Sequence, residues 1–119
     1  MEIIFYHNPR CSKSRAALSL LRERGIEPKI VQYLNTPPDL PELEAILAKL
    51  KLEDPRQLMR KQEKLYHELG LANPSLSRQT LLSAMAAHPI LIERPIAIAG
   101  DRAVLGRPPE NILKILPNS

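Results

Sequence analysis

The apolar and polar positions of the first third of the chain predict two strands separated by a helix. Residues 3–6 and 29–33 are short runs rich in β-branched and aromatic side chains, a composition typical of strands. Residues 16–24 instead carry leucine and alanine at helical spacing. A strand, a helix and a second strand in this order predict a βαβ unit with parallel strands and a right-handed crossover.

The middle of the chain has the pattern of an all-helical segment. Asp39 precedes a stretch with apolar residues on one helical face, and Ser77 precedes another that ends before Pro89. Aspartate and serine are favoured at helix N-caps, and the residue before a proline disfavours helix. We therefore expect a helical insertion at about residues 39–87.

The last third predicts a hairpin followed by a short helix. Residues 95–99 and 103–105 are apolar and flank Gly100-Asp101, and the final apolar residues, 112–116, have helical spacing. The order βαβ, helices, ββα predicts an α/β fold with a mixed four-stranded sheet. The length of 119 residues suits a single domain over residues 1–119.

Composition limits the classes of function. The net charge is +4, but the basic residues are scattered and aromatic residues are only 3% of the chain, so a base-stacking nucleic-acid surface is not expected. The excess of positive charge suits a small anion. The single cysteine excludes an intramolecular disulfide, and no apolar run is long enough to span a membrane. We expect a cytoplasmic protein that acts as a monomer and binds neither nucleic acid nor a membrane.

Cys11 is the strongest candidate for chemistry, because it lies where the first strand turns into the first helix. The free N–H groups and the dipole of a helix N-terminus stabilise a thiolate. The Ser14 hydroxyl can donate to the sulfur, and His7 can add a donor or a charge. Three basic residues add positive charge close by in sequence: Arg10, Lys13 and Arg15. These flanks favour a reactive cysteine of low pKa over a small buried hydrophobe.

Several long motifs, in order, resemble one known family. They are YHNPRCSKSR at 6–15, YLNTPP at 33–38, LMRKQEKLYHELGL at 58–71, HPILIERPI at 88–96 and GRPPENIL at 106–113. The chain is similar in these to the glutaredoxin-linked arsenate reductases, often called ArsC-like. The resemblance implies a thioredoxin/glutaredoxin-like fold in which Pro95 is the cis-proline.

The resemblance also implies roles for individual residues. Cys11 matches the family's nucleophile. Three arginines match its oxyanion-binding positions: Arg60, Arg94 and Arg107. His7 and Ser14 fall on positions that the family uses to support the thiolate. Arg15 is expected to support it as well, through the positive charge that its place in the sequence suggests.

The chemistry implied by the family is reduction of arsenate to arsenite. The Cys11 thiolate would attack arsenic to form a thioarsenate adduct, which glutathione as co-substrate and glutaredoxin as protein partner would resolve. No bound cofactor is expected. No metal site is expected either, because the histidines and Cys11 lack the usual ligand spacings.

Two other functions stay open. Spx-like regulators resemble this fold and bind RNA polymerase, but they carry a Cys-x-x-Cys switch, and here the second cysteine is replaced by Ser14. The other is a general glutathione-dependent thiol oxidoreductase with a substrate other than arsenate.

Overall fold

The computed structural model describes residues 2–116. The chain divides into two compact units. One comprises the described residues up to Thr36 and from Arg94 onward, and the other spans Pro37–Glu93. That one domain covers residues 1–119 stays a prediction.

The first unit contains the predicted βαβ and ββα segments. It is built from strands β1 (Ile4–Tyr6), β2 (Lys29–Val31), β3 (Ile96–Ala99) and β4 (Arg102–Leu105), with helix α1 (Ser12–Glu23) between β1 and β2. The chain then ends its described part in a 3-10 helix, Pro109–Ile115. Each predicted element is present.

The four strands form one sheet in the order β2-β1-β3-β4. Strand β1 runs parallel to β2 and antiparallel to β3, and β3 is antiparallel to β4. Tyr6 at the end of β1 is in register with Ile96 at the start of β3. The mixed four-stranded sheet of an α/β fold is therefore confirmed, and its register brings the segment before β3 to the end of β1 where Cys11 follows.

The core of the first unit lies between the sheet, α1 and the final 3-10 helix. Apolar burial of this kind stabilises a fold by roughly 25 cal/mol for each Å² removed from water. The buried cluster consists of Ile3, Phe5, Ala17, Leu18, Leu21, Ala97, Ala99, Ile112 and Ile115. The core anchors α1, and with it Cys11 at its start.

The second unit is helical. It contains α2 (Leu40–Leu50), α3 (Lys64–Glu68) and α4 (Arg78–Ala87), with 3-10 helices at Pro55–Leu58 and Pro89–Leu91. All three α-helices fall within the predicted insertion, although the compact unit extends beyond it to Pro37 and Glu93.

Strand β2 and two peptide bonds of the first unit show features that the sequence pattern alone did not predict. Strand β2 ends at Val31 and not at residue 33, because the carbonyl of Gln32 accepts turn hydrogen bonds from the N–H groups of Asn35 and Thr36, at 2.9 and 3.0 Å. Between residues 2 and 116, two peptide bonds are cis: Arg94–Pro95, as the family resemblance implies, and Arg107–Pro108, which the sequence did not predict.

Within residues 2–116, no helix has both the length and the apolar character needed to cross a membrane.

Candidate active site

Cys11 is the N-cap residue of α1. Its backbone is extended, with φ −91° and ψ 122°, and its carbonyl accepts the first helical hydrogen bond from the N–H of Arg15 at 3.0 Å. Its own N–H donates to the Asn8 carbonyl at 3.0 Å, which closes the turn that follows β1. The Cys11 side chain is half-buried and forms no side-chain capping hydrogen bond. The sulfur therefore lies at the positive end of the helix.

The surroundings favour the ionised thiol. Burial alone would raise the pKa of Cys11, but the N–H groups of Ser14 and Lys13 and the charge and hydrogen bond of Arg94 outweigh it, and the pKa of this thiol is below its ordinary value. Backbone N–H donors and a neighbouring guanidinium both favour a thiolate over a thiol. The geometry thus supports the reactive form of the cysteine.

A buried hydrogen-bond network holds the loop that carries Cys11. Nδ1 of His7 and Oγ of Ser14 are 2.6 Å apart, and the N–H of Asn8 donates to the same hydroxyl oxygen at 3.1 Å. The N–H of His7 also donates to the Val31 carbonyl at 2.9 Å, tying the loop to the end of β2. Both His7 and Ser14 are buried. They fix the path of the chain between β1 and α1.

The surroundings of His7 and Ser14 bear on the support that both are expected to give the thiolate, and that support stays a prediction. Burial lowers the pKa of His7, helped by the charges of Arg22 and Arg15, and this shift favours the neutral imidazole. Ser14 acts on Cys11 through its backbone N–H. Donation from the Ser14 hydroxyl to the sulfur stays a prediction.

The basic residues close in sequence to Cys11 have other contacts. The guanidinium of Arg15 donates to the Pro9 carbonyl at 2.9 Å and so braces the loop. Lys13 contributes its backbone N–H, whereas the side-chain charge that lowers the thiol pKa is that of Arg94. The positive charge expected beside Cys11 is therefore supplied by Arg94, which is remote in sequence and comes close because β3 pairs with β1.

Arg94 and Arg107 lie together on the first unit. Nη1 of Arg107 donates to the Arg94 carbonyl at 3.3 Å, and both side chains are partly buried. Gly106 makes this approach possible: a Cβ at Gly106 would lie 2.7 Å from Cγ of Pro95, closer than real contacts allow. Gly106 was not predicted to matter, although a glycine directly before Arg107-Pro108 is a sequence signal for a close backbone approach.

Arg60 belongs to the second unit, after the 3-10 helix Pro55–Leu58. Its guanidinium forms an ion pair with Glu63 at 3.4 Å and reaches the Ile90 carbonyl at 3.5 Å. The backbone N–H of Arg60 donates to the Leu91 carbonyl at 2.7 Å. The backbone at Arg60 is thus held firmly, and its participation in an oxyanion site with Arg94 and Arg107 stays a prediction.

In the described part of the chain, no three His, Cys, Asp or Glu side chains are grouped so as to hold a metal ion.

Comparison with known proteins gives consistent matches over the whole chain. A sequence model described as the ArsC family matches residues 6–115. A protein of Neisseria meningitidis serogroup A named arsenate reductase is 58% identical over 115 residues, which are 97% of this chain and 98% of that protein. Another of that name, from Haemophilus influenzae, is 50% identical over 98% of this chain and 100% of its own.

A solved structure of the same name is also similar to this chain. The arsenate reductase from Vibrio cholerae superposes with a TM-score of 0.95 at 48% identity, covering 98% of each chain. Its likeness extends the sequence match to the three-dimensional fold.

Proposed function

The chain belongs to the ArsC family, and from this premise we propose that it is an arsenate reductase that uses the Cys11 thiolate as its nucleophile. The single observation that carries the proposal is the position of Cys11 at the start of α1 beside Arg94, where the helix N–H groups and the guanidinium lower the pKa of its thiol. Only the thiolate form of cysteine is a strong nucleophile. The names of relatives that cover nearly the whole chain support arsenate as the substrate.

In the first step the Cys11 sulfur attacks arsenic(V). A sulfur–arsenic bond forms, and one arsenate oxygen takes up two protons and leaves as water. A guanidinium beside the sulfur favours this step in two ways, because it stabilises the thiolate and attracts the anion that the thiolate would otherwise repel. Arg94 is the residue that fits this role.

Guanidinium groups also suit the shape of the substrate. Each one offers paired, permanently charged donors in a planar fork that matches two oxygens of a tetrahedral anion. Arg94 and Arg107 are joined by a hydrogen bond on the unit that holds Cys11. We assign them to the oxyanion together with Arg60, whose assignment depends on the family resemblance alone.

The second step needs an external thiol, because the chain has one cysteine. Glutathione attacks the adduct, and a glutaredoxin resolves the mixed species that remains and restores the Cys11 thiolate. In total two thiol groups are oxidised to one disulfide, arsenic(V) gains two electrons as arsenic(III), and one oxygen leaves as water. The proposed enzyme therefore needs no bound cofactor, and we place it in the cytoplasm, where glutathione is available, as a monomer.

The test is arsenite production from arsenate, glutathione and glutaredoxin by the purified protein and by Cys11→Ser. We expect turnover by the wild-type protein and none above background by Cys11→Ser. Ser19→Ala is the matched control, since Ser19 is exposed on α1, and it should be as active as the wild type. Turnover by Cys11→Ser equal to that of the wild type would refute the proposal.

The same preparation should be offered arsenate and, in a parallel assay, a glutathionylated peptide. An arsenate reductase releases arsenite at a rate that competes with any reduction of the peptide disulfide. Rapid Cys11-dependent reduction of the peptide with no arsenite formed would instead identify a general thiol oxidoreductase.

A further inference from the structure

A cavity of about 370 Å³ lies beside the loop that carries Cys11. This volume falls within the range of small-molecule sites, roughly 300–1,000 Å³. Its lining comes from two segments of the first unit, the loop after β1 and the turn after β2: His7, Pro9, Arg10, Gln32, Leu34 and Asn35. No role is yet assigned to the turn after β2.

The walls of this cavity are held in place by hydrogen bonds. The N–H of Arg10 donates to Oδ1 of Asn8 at 3.0 Å, and the N–H of Asn35 donates to the Gln32 carbonyl at 2.9 Å. The two segments are joined by the 2.9 Å bond from the N–H of His7 to the Val31 carbonyl. A ligand would therefore meet a site whose backbone is already formed.

The polar groups of the lining suit a peptide that carries a carboxylate. Nδ2 of Asn35 donates to Oε1 of Gln32 at 3.2 Å. This bond uses neither the N–H donors of the Gln32 amide nor the Oδ1 acceptor of Asn35. A peptide group offers the carbonyl and N–H that are complementary to them. Arg10 supplies the one cation among the six lining residues, none of which is acidic.

The same features fit a bare oxyanion poorly. A tetrahedral oxyanion is best held by several charged donors, and Arg94 and Arg107 are not among the residues that line this cavity. Pro9 and Leu34 give the wall an apolar part that arsenate would not use. A ligand that matches this lining would be more extended than arsenate and partly apolar.

We propose that this cavity binds the glutathione consumed in the second step, with a glutathione carboxylate on Arg10 and a glutathione peptide group between Gln32 and Asn35. The inference rests on the proposed function for the identity of the thiol. It adds the place of binding: Arg10 directly precedes the nucleophile, so a tripeptide held there comes to Cys11 from the side of the β1–α1 loop.

Titration calorimetry with S-methylglutathione tests the site without any redox chemistry, since this analogue has no free thiol. We expect the wild-type protein to bind it. Arg10→Gln should bind at least about tenfold more weakly, because a charge-assisted hydrogen bond is lost. Asn35→Ala should also bind more weakly, because one partner of the peptide group is removed.

Arg24→Gln is the matched control, since Arg24 is an exposed arginine at the other end of α1, and it should bind like the wild type. Circular dichroism of each variant confirms that it is folded. Three results would overturn the inference. They are no binding by the wild type, binding by Arg10→Gln and Asn35→Ala as tight as that of the wild type, and competitive displacement of S-methylglutathione by inorganic phosphate.

Failure of this site is distinguishable from failure of the proposed function. Cys11→Ser should lose arsenate turnover and still bind S-methylglutathione, because Cys11 does not line the cavity. Binding that depends on Arg10 in a protein without arsenate turnover would preserve the site and reject the reductase. Turnover that depends on Cys11 without such binding would reject the site alone.

Discussion

Asp39 is the N-cap of α2, and its carboxylate accepts a hydrogen bond from the N–H of Glu42 at 2.9 Å. Cys11 is the N-cap of α1, by contrast, and forms no side-chain capping hydrogen bond. Both residues have extended backbone conformations, as N-caps do. At Asp39 one of the free N–H groups, that of Glu42, donates to a side-chain oxygen. At Cys11 the free N–H groups act on a sulfur that is a weak acceptor until it loses its proton.

The difference shows how one local structure serves stability in one place and reactivity in another. A carboxylate cap is charged throughout the physiological pH range, so its hydrogen bond contributes to stability and nothing is left to react. A thiol cap is neutral by default, and the N–H groups of Lys13 and Ser14 lower its pKa. The helix start at Cys11 thus exchanges part of the stabilisation that Asp39 provides for an ionisable nucleophile.

Replacing the thiol cap by a carboxylate should give the largest effect. In Cys11→Asp the new carboxylate can cap α1 as Asp39 caps α2, so the free energy of unfolding should rise by about 0.5–1 kcal/mol. Arsenate turnover should fall by more than roughly a thousandfold, since the nucleophile is gone. Urea unfolding and arsenite production measure the two effects.

Cys11→Ala is the control for that substitution, because it removes the sulfur without supplying a cap. It should be inactive and less stable than Cys11→Asp. If Cys11→Ala and Cys11→Asp unfold at the same urea concentration, the start of α1 does not behave as a vacant cap position.

Arg94→Gln should give the next largest effect, because Arg94 stabilises the Cys11 thiolate. The charge and hydrogen bond of Arg94 lower the Cys11 pKa, so the midpoint of Cys11 alkylation against pH should move to higher pH. Loss of one donor to a reacting anion lowers kcat/KM for arsenate by about a hundredfold. Arg24→Gln should leave the alkylation profile unchanged, and an unchanged profile in Arg94→Gln would remove Arg94 from the account of the thiolate.

The helix starts themselves were predictable from sequence for a local reason. Asp39, Ser77 and Cys11 each stand directly before a helix in the structure, and a cap residue followed by apolar residues at helical spacing is visible in the chain itself. The start of α1 was harder to place, because Lys13 and Arg15 hide the period in its first turn. Strand β2 was predicted too long, since Tyr33 is buried although it lies in a turn.

The electrostatic partner of Cys11 was not visible in the same way. Sequence neighbours suggested Arg10, Lys13 and Arg15, whereas Arg94 reaches the site because Ile96 pairs with Tyr6. Such a pairing joins distant parts of the chain, and no local pattern encodes it. The family resemblance pointed to Arg94 beforehand, as did its place directly before Pro95 at the start of a strand. No pattern in the sequence indicated the cavity beside Gln32 and Asn35.

Removing the carboxylate cap of α2 should have a smaller effect that is confined to stability. Asp39→Ala leaves the N–H of Glu42 without its 2.9 Å acceptor, and loss of such a cap costs about 1 kcal/mol. Ser77→Ala should cost a similar amount, because Oγ of Ser77 accepts from the N–H of Thr80 at 3.1 Å. Ser83→Ala, an exposed change within α4, should cost nothing, and equal losses in all three variants would mean that the caps are not what is measured.

The pH dependence of stability should show the smallest effect and separates the two kinds of cap. The folded thiol of Cys11 has a lowered pKa, so between that pKa and the ordinary thiol value the unfolded chain binds more protons than the folded one, and stability rises with pH. The free energy of unfolding of the wild type, minus that of Cys11→Ser, should therefore increase through this window and become constant above it. As pH falls through the folded pKa the contribution disappears. The same difference taken for Asp39→Ala should stay flat across this window, because that variant keeps the Cys11 thiol and its surroundings. A wild-type difference that also stays flat would mean that the helix start and Arg94 do not stabilise the thiolate.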